Sequence, residues 1–129
     1  MNYEYLLVED EGSVHSITLN RPERRNALSE KLRDELEACL TKAADNEAVR
    51  VAVLTGGEQV FSAGFDLVEA AATEFRTFEH RAREFNTAVY GFPKPLVVAV
   101  SGPALAGGFD PALAGDVILA ADTTIFGHP

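Results

Sequence analysis

Apolar and polar residues alternate near the start of the chain. Val14, Ser16 and Thr18 fall on one face of an extended segment, and His15, Ile17 and Leu19 fall on the other. That is the period of a half-buried strand. Tyr3 to Glu9 and Ser13 to Leu19 are therefore expected as two strands, joined as a hairpin at Asp10-Glu11-Gly12. A polar, proline-containing loop covers 20–26. The period then changes: Leu28, Leu32, Leu36, Cys39 and Ala43 recur at helical spacing. Ser29 offers an N-cap, and Glu30 and Asp34 suit the positive end of that helix, which should stop near Asp45-Asn46. Val49 to Thr55 reads as a short buried strand closed by Gly56-Gly57. The segment 60–67 is a small-residue loop opening into a short helix.

A longer helix is expected from about Thr73 to Tyr90, with Phe75, Phe78, Ala82, Phe85 and Val89 on one stripe. Gly91 and the prolines at 93 and 95 stop it. Leu96 to Val100 is apolar at every position, as in a parallel strand covered on both faces. The stretch 101–108 reads as a turn, with a short helix from near Gly107. Val117 to Ala120 and Thr124 to Phe126 are two further strands. Strands alternating with helices, without an internal repeat or linker, mean an α/β fold.

Composition narrows the function. The 129 residues, 47% hydrophobic and 24% charged, are the size and make-up of one globular domain. A formal net charge of −9 disfavours nucleic-acid binding. The single cysteine, Cys39, excludes an internal disulfide and a cysteine-based zinc site, and the three histidines, His15, His80 and His128, are too scattered for a metal motif. No apolar run approaches the roughly 18–20 residues of a membrane span. The N-terminus, Met1-Asn2-Tyr3-Glu4-Tyr5, lacks the basic and apolar regions of a leader. A cytoplasmic protein is the expectation. P-loop, dinucleotide and nucleophile-elbow patterns are absent.

Two glycine-containing turns stand where an apolar strand should hand over to a helix: Ala63-Gly64-Phe65-Asp66 and Ala106-Gly107-Gly108-Phe109-Asp110. A backbone N–H beside glycine at such a place is unshielded and free to donate. Either turn alone fits ordinary close packing. Two donors converging on one point make an oxyanion hole, a device suited to a thioester carbonyl on which negative charge grows.

These segments resemble the crotonase superfamily, the enoyl-CoA hydratase/isomerase family. Phe61-Ser62-Ala63-Gly64-Phe65-Asp66-Leu67 is similar to its first motif. Ser101 to Asp110, with Ala114-Gly115-Asp116 and Ala120-Ala121-Asp122, is similar to its second. Leu19 to Leu28 resembles its N-terminal signature, and Lys94 to Val100 its strand before the second motif. The resemblance implies a crotonase-like spiral of ββα units. By the same resemblance, residues 1–129 are expected to be the N-terminal part of that domain, truncated before the C-terminal helical region. It implies an acyl-CoA substrate, no other cofactor, no metal, and a homo-oligomer, trimer or hexamer. Hydration or double-bond isomerisation of an enoyl-CoA is the expected reaction. A non-catalytic acyl-CoA-binding or assembly half, or an inactive truncated product, remains an alternative.

By the same resemblance, the backbone N–H groups of Phe65 and Gly107 are the oxyanion donors, within turns that include Ala63, Gly64 and Gly108. Asp66 and Leu67 line the acyl-CoA channel. Arg24 and Arg25 stand where the family contacts the CoA nucleotide, and equally fit an exposed basic loop. Asp110 holds the position of the first catalytic glutamate of the hydratases and is the candidate base; it equally fits a carboxylate at a helix start. Aspartate there resembles the dienoyl-CoA isomerase branch, and its reach is shorter by about 1.5 Å, the length of one C–C bond. Pro111 biases Asp110 away from the helical region and so redirects its side chain. The second hydratase glutamate follows a Phe-Gly-x-Pro turn, here Phe126-Gly127-His128-Pro129, at the next position. A half-spiral leaves strands such as Leu96–Val100 and Val117–Ala120 as an association surface.

Overall fold

Strands β1 (Leu6–Glu11) and β2 (Val14–Leu19) pair antiparallel from Leu6 opposite Leu19 to Glu11 opposite Val14. The computed structural model describes residues 2–129; Met1, part of the stretch read against a leader, lies outside them. The turn is tighter and later than the expected Asp10-Glu11-Gly12. Only Gly12 and Ser13 make it, and Gly12 takes a left-handed φ of 61°. β1 also starts later than Tyr3. The backbone N–H groups of Glu4 and Tyr5 donate to the Glu35 carboxylate at 2.7 and 2.8 Å and are lost to the ladder.

Helix α1 (Glu30–Asp45) begins as expected. Ser29 Oγ accepts from the Leu32 N–H at 3.2 Å, and Leu32, Leu36, Cys39 and Ala43 are buried along one face. Three strands then add in parallel: β3 (Val51–Thr55), β4 (Leu96–Val100) and, after the short β5 (Pro103–Leu105), β6 (Val117–Ala120). They extend the hairpin into a five-stranded sheet in the order β1-β2-β3-β4-β6. One face carries Leu6, Ile17, Leu19, Ala52, Leu54, Leu96, Val98 and Val100, which pack with α1 and with Phe85 and Val89 of helix α3 (Phe75–Tyr90) in a single core. The other face is not closed. Val97 and Ala99 are only half-buried, so β4 is covered on one face and not on both as its composition suggested. All four β6 residues are exposed.

Between β3 and β4 the chain forms α2 (Leu67–Ala72) and then α3. Thr73 caps the end of α2 instead of starting α3. Glu74 opens α3 by accepting the N–H groups of Arg76 and Thr77. Phe75 is on the helical stripe yet 72% exposed, so the stripe is buried only from its middle onward.

The segment read as a turn before the second glycine motif contains a strand. β5 (Pro103–Leu105) pairs in parallel with β7 (Ile125–Gly127) and receives Phe61 and Ser62 along its other edge. A one-turn 3₁₀ helix (Ala106–Gly108) and α4 (Phe109–Ala112) follow. Asp110 is helical despite Pro111, contrary to expectation. α4 consists of little more than a first turn, where proline is tolerated.

Candidate functional site

The first glycine turn is held from beneath by Asn26. This side chain is 1% exposed, on a residue with φ of 54°. Its Nδ2 donates to the carbonyls of Gly56, Val60 and Phe61 at 3.0, 3.3 and 3.1 Å, and its Oδ1 accepts from the Arg21 N–H at 2.7 Å. One amide thus ties the loop after β2 to the chain entering the turn. Ser62 continues the scaffold: its Oγ donates to the Asn26 carbonyl at 2.8 Å and accepts from the Gly64 N–H at 3.2 Å. Sequence reasoning assigned Asn26 no role. Its one visible signal was an asparagine, a residue type that tolerates the left-handed region, inside a loop.

Gly64 has φ of 112°, open only to glycine at little cost, and its carbonyl accepts the Leu28 N–H at 2.8 Å. A methyl group at Gly64 would stand 3.1 Å from the Leu105 carbonyl and 3.3 Å from the Gly107 nitrogen. The two glycine turns, more than forty residues apart in the chain, are therefore in van der Waals contact. The Phe65 ring completes the fit by occupying the space where a Gly107 side chain would be. Gly108 is pressed against Ser62 in the same way, 2.5 Å from a built methyl to the Ser62 carbonyl. In the turn and loop hydrogen bonds of the described residues, neither the Phe65 N–H nor the Gly107 N–H is a donor.

Behind the Phe65 ring lies a second feature that sequence reasoning missed. Arg33, 4% exposed, places its guanidinium 5.3 Å from the Phe65 ring centre and 5.9 Å from that of Phe78. It also donates to the Leu28 carbonyl at 2.9 Å. Phe65 and Phe78 meet edge to face at 5.2 Å. The helical pattern of α1 gave no sign that this arginine would be buried, since Arg33 lies at the edge of the stripe of Leu28, Leu32, Leu36, Cys39 and Ala43 and not on it.

Asp66 is the N-cap of α2. Its carboxylate accepts the Glu69 N–H at 3.1 Å and pairs with Arg21 at 3.0 Å. The Glu69 N–H, helped by the adjacent guanidinium, holds the Asp66 carboxyl below its ordinary value. This carboxylate is committed to structure at the cleft wall.

A cleft of about 600 Å³ opens beside the joined turns. Among the expected site residues, Arg24, Ala63, Phe65, Asp66, Leu67 and Gly107 line it. Leu67 and Val68, also on its wall, are 81% and 76% exposed, so the cleft presents apolar surface for an apolar occupant. Gly64 and Gly108 lie behind the lining as buried spacers. The two arginines separate. Arg24 lines this cleft, while Arg25, at φ of 50°, lines a different hollow with Leu7, Gly57 and Val60. Asp110 is not on the cleft wall. Its carboxylate lies 3.6 Å from His128 Nε2, and its backbone carbonyl accepts the Tyr90 hydroxyl at 2.8 Å. Phe126 and His128 pack on Phe109, with ring centres 5.3 and 5.2 Å apart, and Pro129 beyond them returns to the cleft wall. Among the described residues, no cluster of three or more His, Cys, Asp or Glu is placed to hold a metal ion, and no helix is long and apolar enough to cross a membrane.

Residues 9–129 match the enoyl-CoA hydratase/isomerase family. A Rhizobium meliloti (strain 1021) protein named "Probable enoyl-CoA hydratase" is 41% identical over 138 residues, covering 100% of this chain and 51% of that protein. The carnitinyl-CoA dehydratase of Escherichia coli (strain K12) is 39% identical over 129 residues, covering 98% of this chain and 49% of the dehydratase. The crystal structure of an enoyl-CoA hydratase/isomerase from Xanthobacter autotrophicus Py2 superposes with a TM-score of 0.90 at 35% identity, over 99% of this chain and 50% of that one. The chain thus spans about half the length of the relatives it matches. Its fold is the N-terminal half of the crotonase fold, and it belongs to the enoyl-CoA hydratase/isomerase family.

Proposed function

We propose that this chain binds an acyl-CoA thioester in the 600 Å³ cleft, with the thioester oxygen between the Phe65 and Gly107 N–H groups. The observation that carries this reading is the contact of the two glycine turns at the cleft, with both N–H groups outside the hydrogen bonds of the surrounding loops. Removal of an α-proton from a thioester puts negative charge on the carbonyl oxygen. Two fixed N–H donors stabilise that charge without reorganising, whereas water must reorient to do so. Family membership supports the substrate class and a reaction through such an enolate, hydration or double-bond isomerisation of an enoyl-CoA.

In this reading the acyl chain lies against Phe65, Leu67 and Val68, where apolar area leaves water. Arg24 offers a cation to a CoA phosphate. Asp110 is assigned proton transfer on the family resemblance: it follows Gly107 by three residues, and the role requires its carboxylate, off the cleft wall beside His128, to turn into the cleft. An oligomer and a cytoplasmic location belong to the same proposal, supported by the family resemblance.

Exchange of the acyl α-protons of butyryl-CoA with deuterated water, followed by mass spectrometry, separates binding from chemistry. The protein is expected to catalyse exchange. Asp110→Asn is expected to lower its rate by about a hundredfold or more, the effect of a positioned base, with little change in calorimetric affinity for the thioester. Binding without any exchange by the unaltered protein would remove Asp110 from the chemistry. Absence of binding would remove the cleft assignment.

A further inference from the structure

Arg33 lies behind the acyl-CoA cleft and is not among its lining residues. Its guanidinium nevertheless reaches separate segments that shape the cleft. It donates to the Leu28 carbonyl at 2.9 Å. It stands 5.3 Å from the ring centre of Phe65 and 5.9 Å from that of Phe78 in α3. Its Nη2 is 3.6 Å from the Glu69 carboxylate in α2. The same Glu69 oxygen accepts the Glu30 N–H at the start of α1, at 2.7 Å. No residue of α2 is buried, so polar ties of this kind hold the helix at the cleft wall. Leu28 and Phe65 are themselves bridge partners. One guanidinium thus grips both sides of the bridge that carries the first glycine turn. The edge of the Phe65 ring in turn fills the space where a Gly107 side chain would be. The ring is therefore the spacer between the two turns, and Arg33 holds the spacer.

Core stability does not call for an arginine here. Taking a guanidinium out of water is costly, and apolar side chains in place of buried ion pairs are often as stable or more so. What an apolar chain lacks is a planar cation that lies near two aromatic rings and still donates to a carbonyl.

We infer that Arg33 is a positioning residue for the thioester site. By holding the Phe65 ring against the Leu28 carbonyl, it sets the spacing of the Phe65 and Gly107 N–H donors. The inference rests on the acyl-CoA reading above. Arg33 itself touches no substrate. Its effect falls on the transition state, where charge on the thioester oxygen makes donor placement count most. Ground-state binding comes from the apolar wall and Arg24, and depends on Arg33 far less.

The test compares Arg33→Met and Arg33→Lys with the unaltered protein in α-proton exchange on butyryl-CoA. Arg33→Met is expected to lower kcat about tenfold or more, since a misplacement of about 1 Å can cost about a hundredfold, with KM within a few-fold. Arg33→Lys keeps the charge without the planar fork, and its kcat is expected to fall between the two. A second readout needs no activity: the α-proton resonances of Gly107 in the ligand-free protein, which the ring current of Phe65 displaces. They are expected to move in Arg33→Met. Should that variant not fold by circular dichroism, Arg33→Lys carries both readouts. Gly107 resonances unmoved, kcat unchanged, or a parallel loss of kcat and affinity overturns the proposal. No exchange by the unaltered protein would count against the acyl-CoA chemistry instead, and the Gly107 resonances would still decide whether Arg33 sets the ring.

Discussion

Replacing Gly107 by alanine is expected to abolish measurable α-proton exchange on an acyl-CoA while leaving the protein folded. The new methyl group would occupy the space that the edge of the Phe65 ring fills now. Phe65 cannot simply swing away, because Arg33 and Phe78 pack against its ring. The collision is therefore relieved by separating the two turns. Loss of one donor in an oxyanion site costs about 10²–10³ in rate, and displacement of both turns by about 1 Å adds to that through misplacement alone. The test compares exchange rate and thermal stability for Gly107→Ala and for Leu67→Ala, whose side chain lines the cleft wall but is largely exposed. A Gly107→Ala rate within a few-fold of the unaltered protein would contradict the assignment of that N–H.

The largest stability effect is expected at Asn26. Alanine there leaves the Gly56, Val60 and Phe61 carbonyls and the Arg21 N–H without their shared partner. Leaving one buried polar group unsatisfied costs about 1–3 kcal/mol. The left-handed backbone at Asn26 adds roughly 1–2 kcal/mol for a residue without a side-chain amide. Partial rescue by water and by the second lone pair of each carbonyl takes the loss below that additive sum, so Asn26→Ala should destabilise by about 3 kcal/mol or more in a urea titration. Asn26→Asp should recover little of this, since a carboxylate cannot donate to three carbonyls. A loss below about 1 kcal/mol, the size of a single net hydrogen bond, would show that Asn26 does not brace the first turn.

Legibility followed the range of the interactions. Helix α1 was readable because its signals are local: Ser29 caps its own first turn, and Leu32, Leu36, Cys39 and Ala43 lie on one face whatever they meet. The hairpin and the parallel strands were readable from the same kind of local pattern. β5 was not. Three residues beginning with proline carry no periodicity, and they become a strand only because Phe61, Ser62 and β7 arrive at its two edges. The glycine turns were visible as motifs, but their mutual contact depends on a chain crossing that no local pattern encodes. Arg33 was hidden for a similar reason: an arginine at the edge of a core stripe is buried only if carbonyl, carboxylate and aromatic partners converge on it, and those come from Leu28, Glu69, Phe65 and Phe78. Arg24 and Arg25 looked equivalent in the sequence. The left-handed conformation of Arg25 turns it away from the cleft that Arg24 lines.

The central claim is that two particular backbone N–H groups receive a thioester oxygen. It is tested most directly by amide resonances of isotopically labelled protein, titrated with butyryl-CoA and, separately, with free CoA. The account predicts that the Phe65 and Gly107 amide protons move downfield with the thioester and stay nearly unmoved with free CoA, which has no acyl carbonyl. Saturable binding of butyryl-CoA with those two amides unmoved would contradict it.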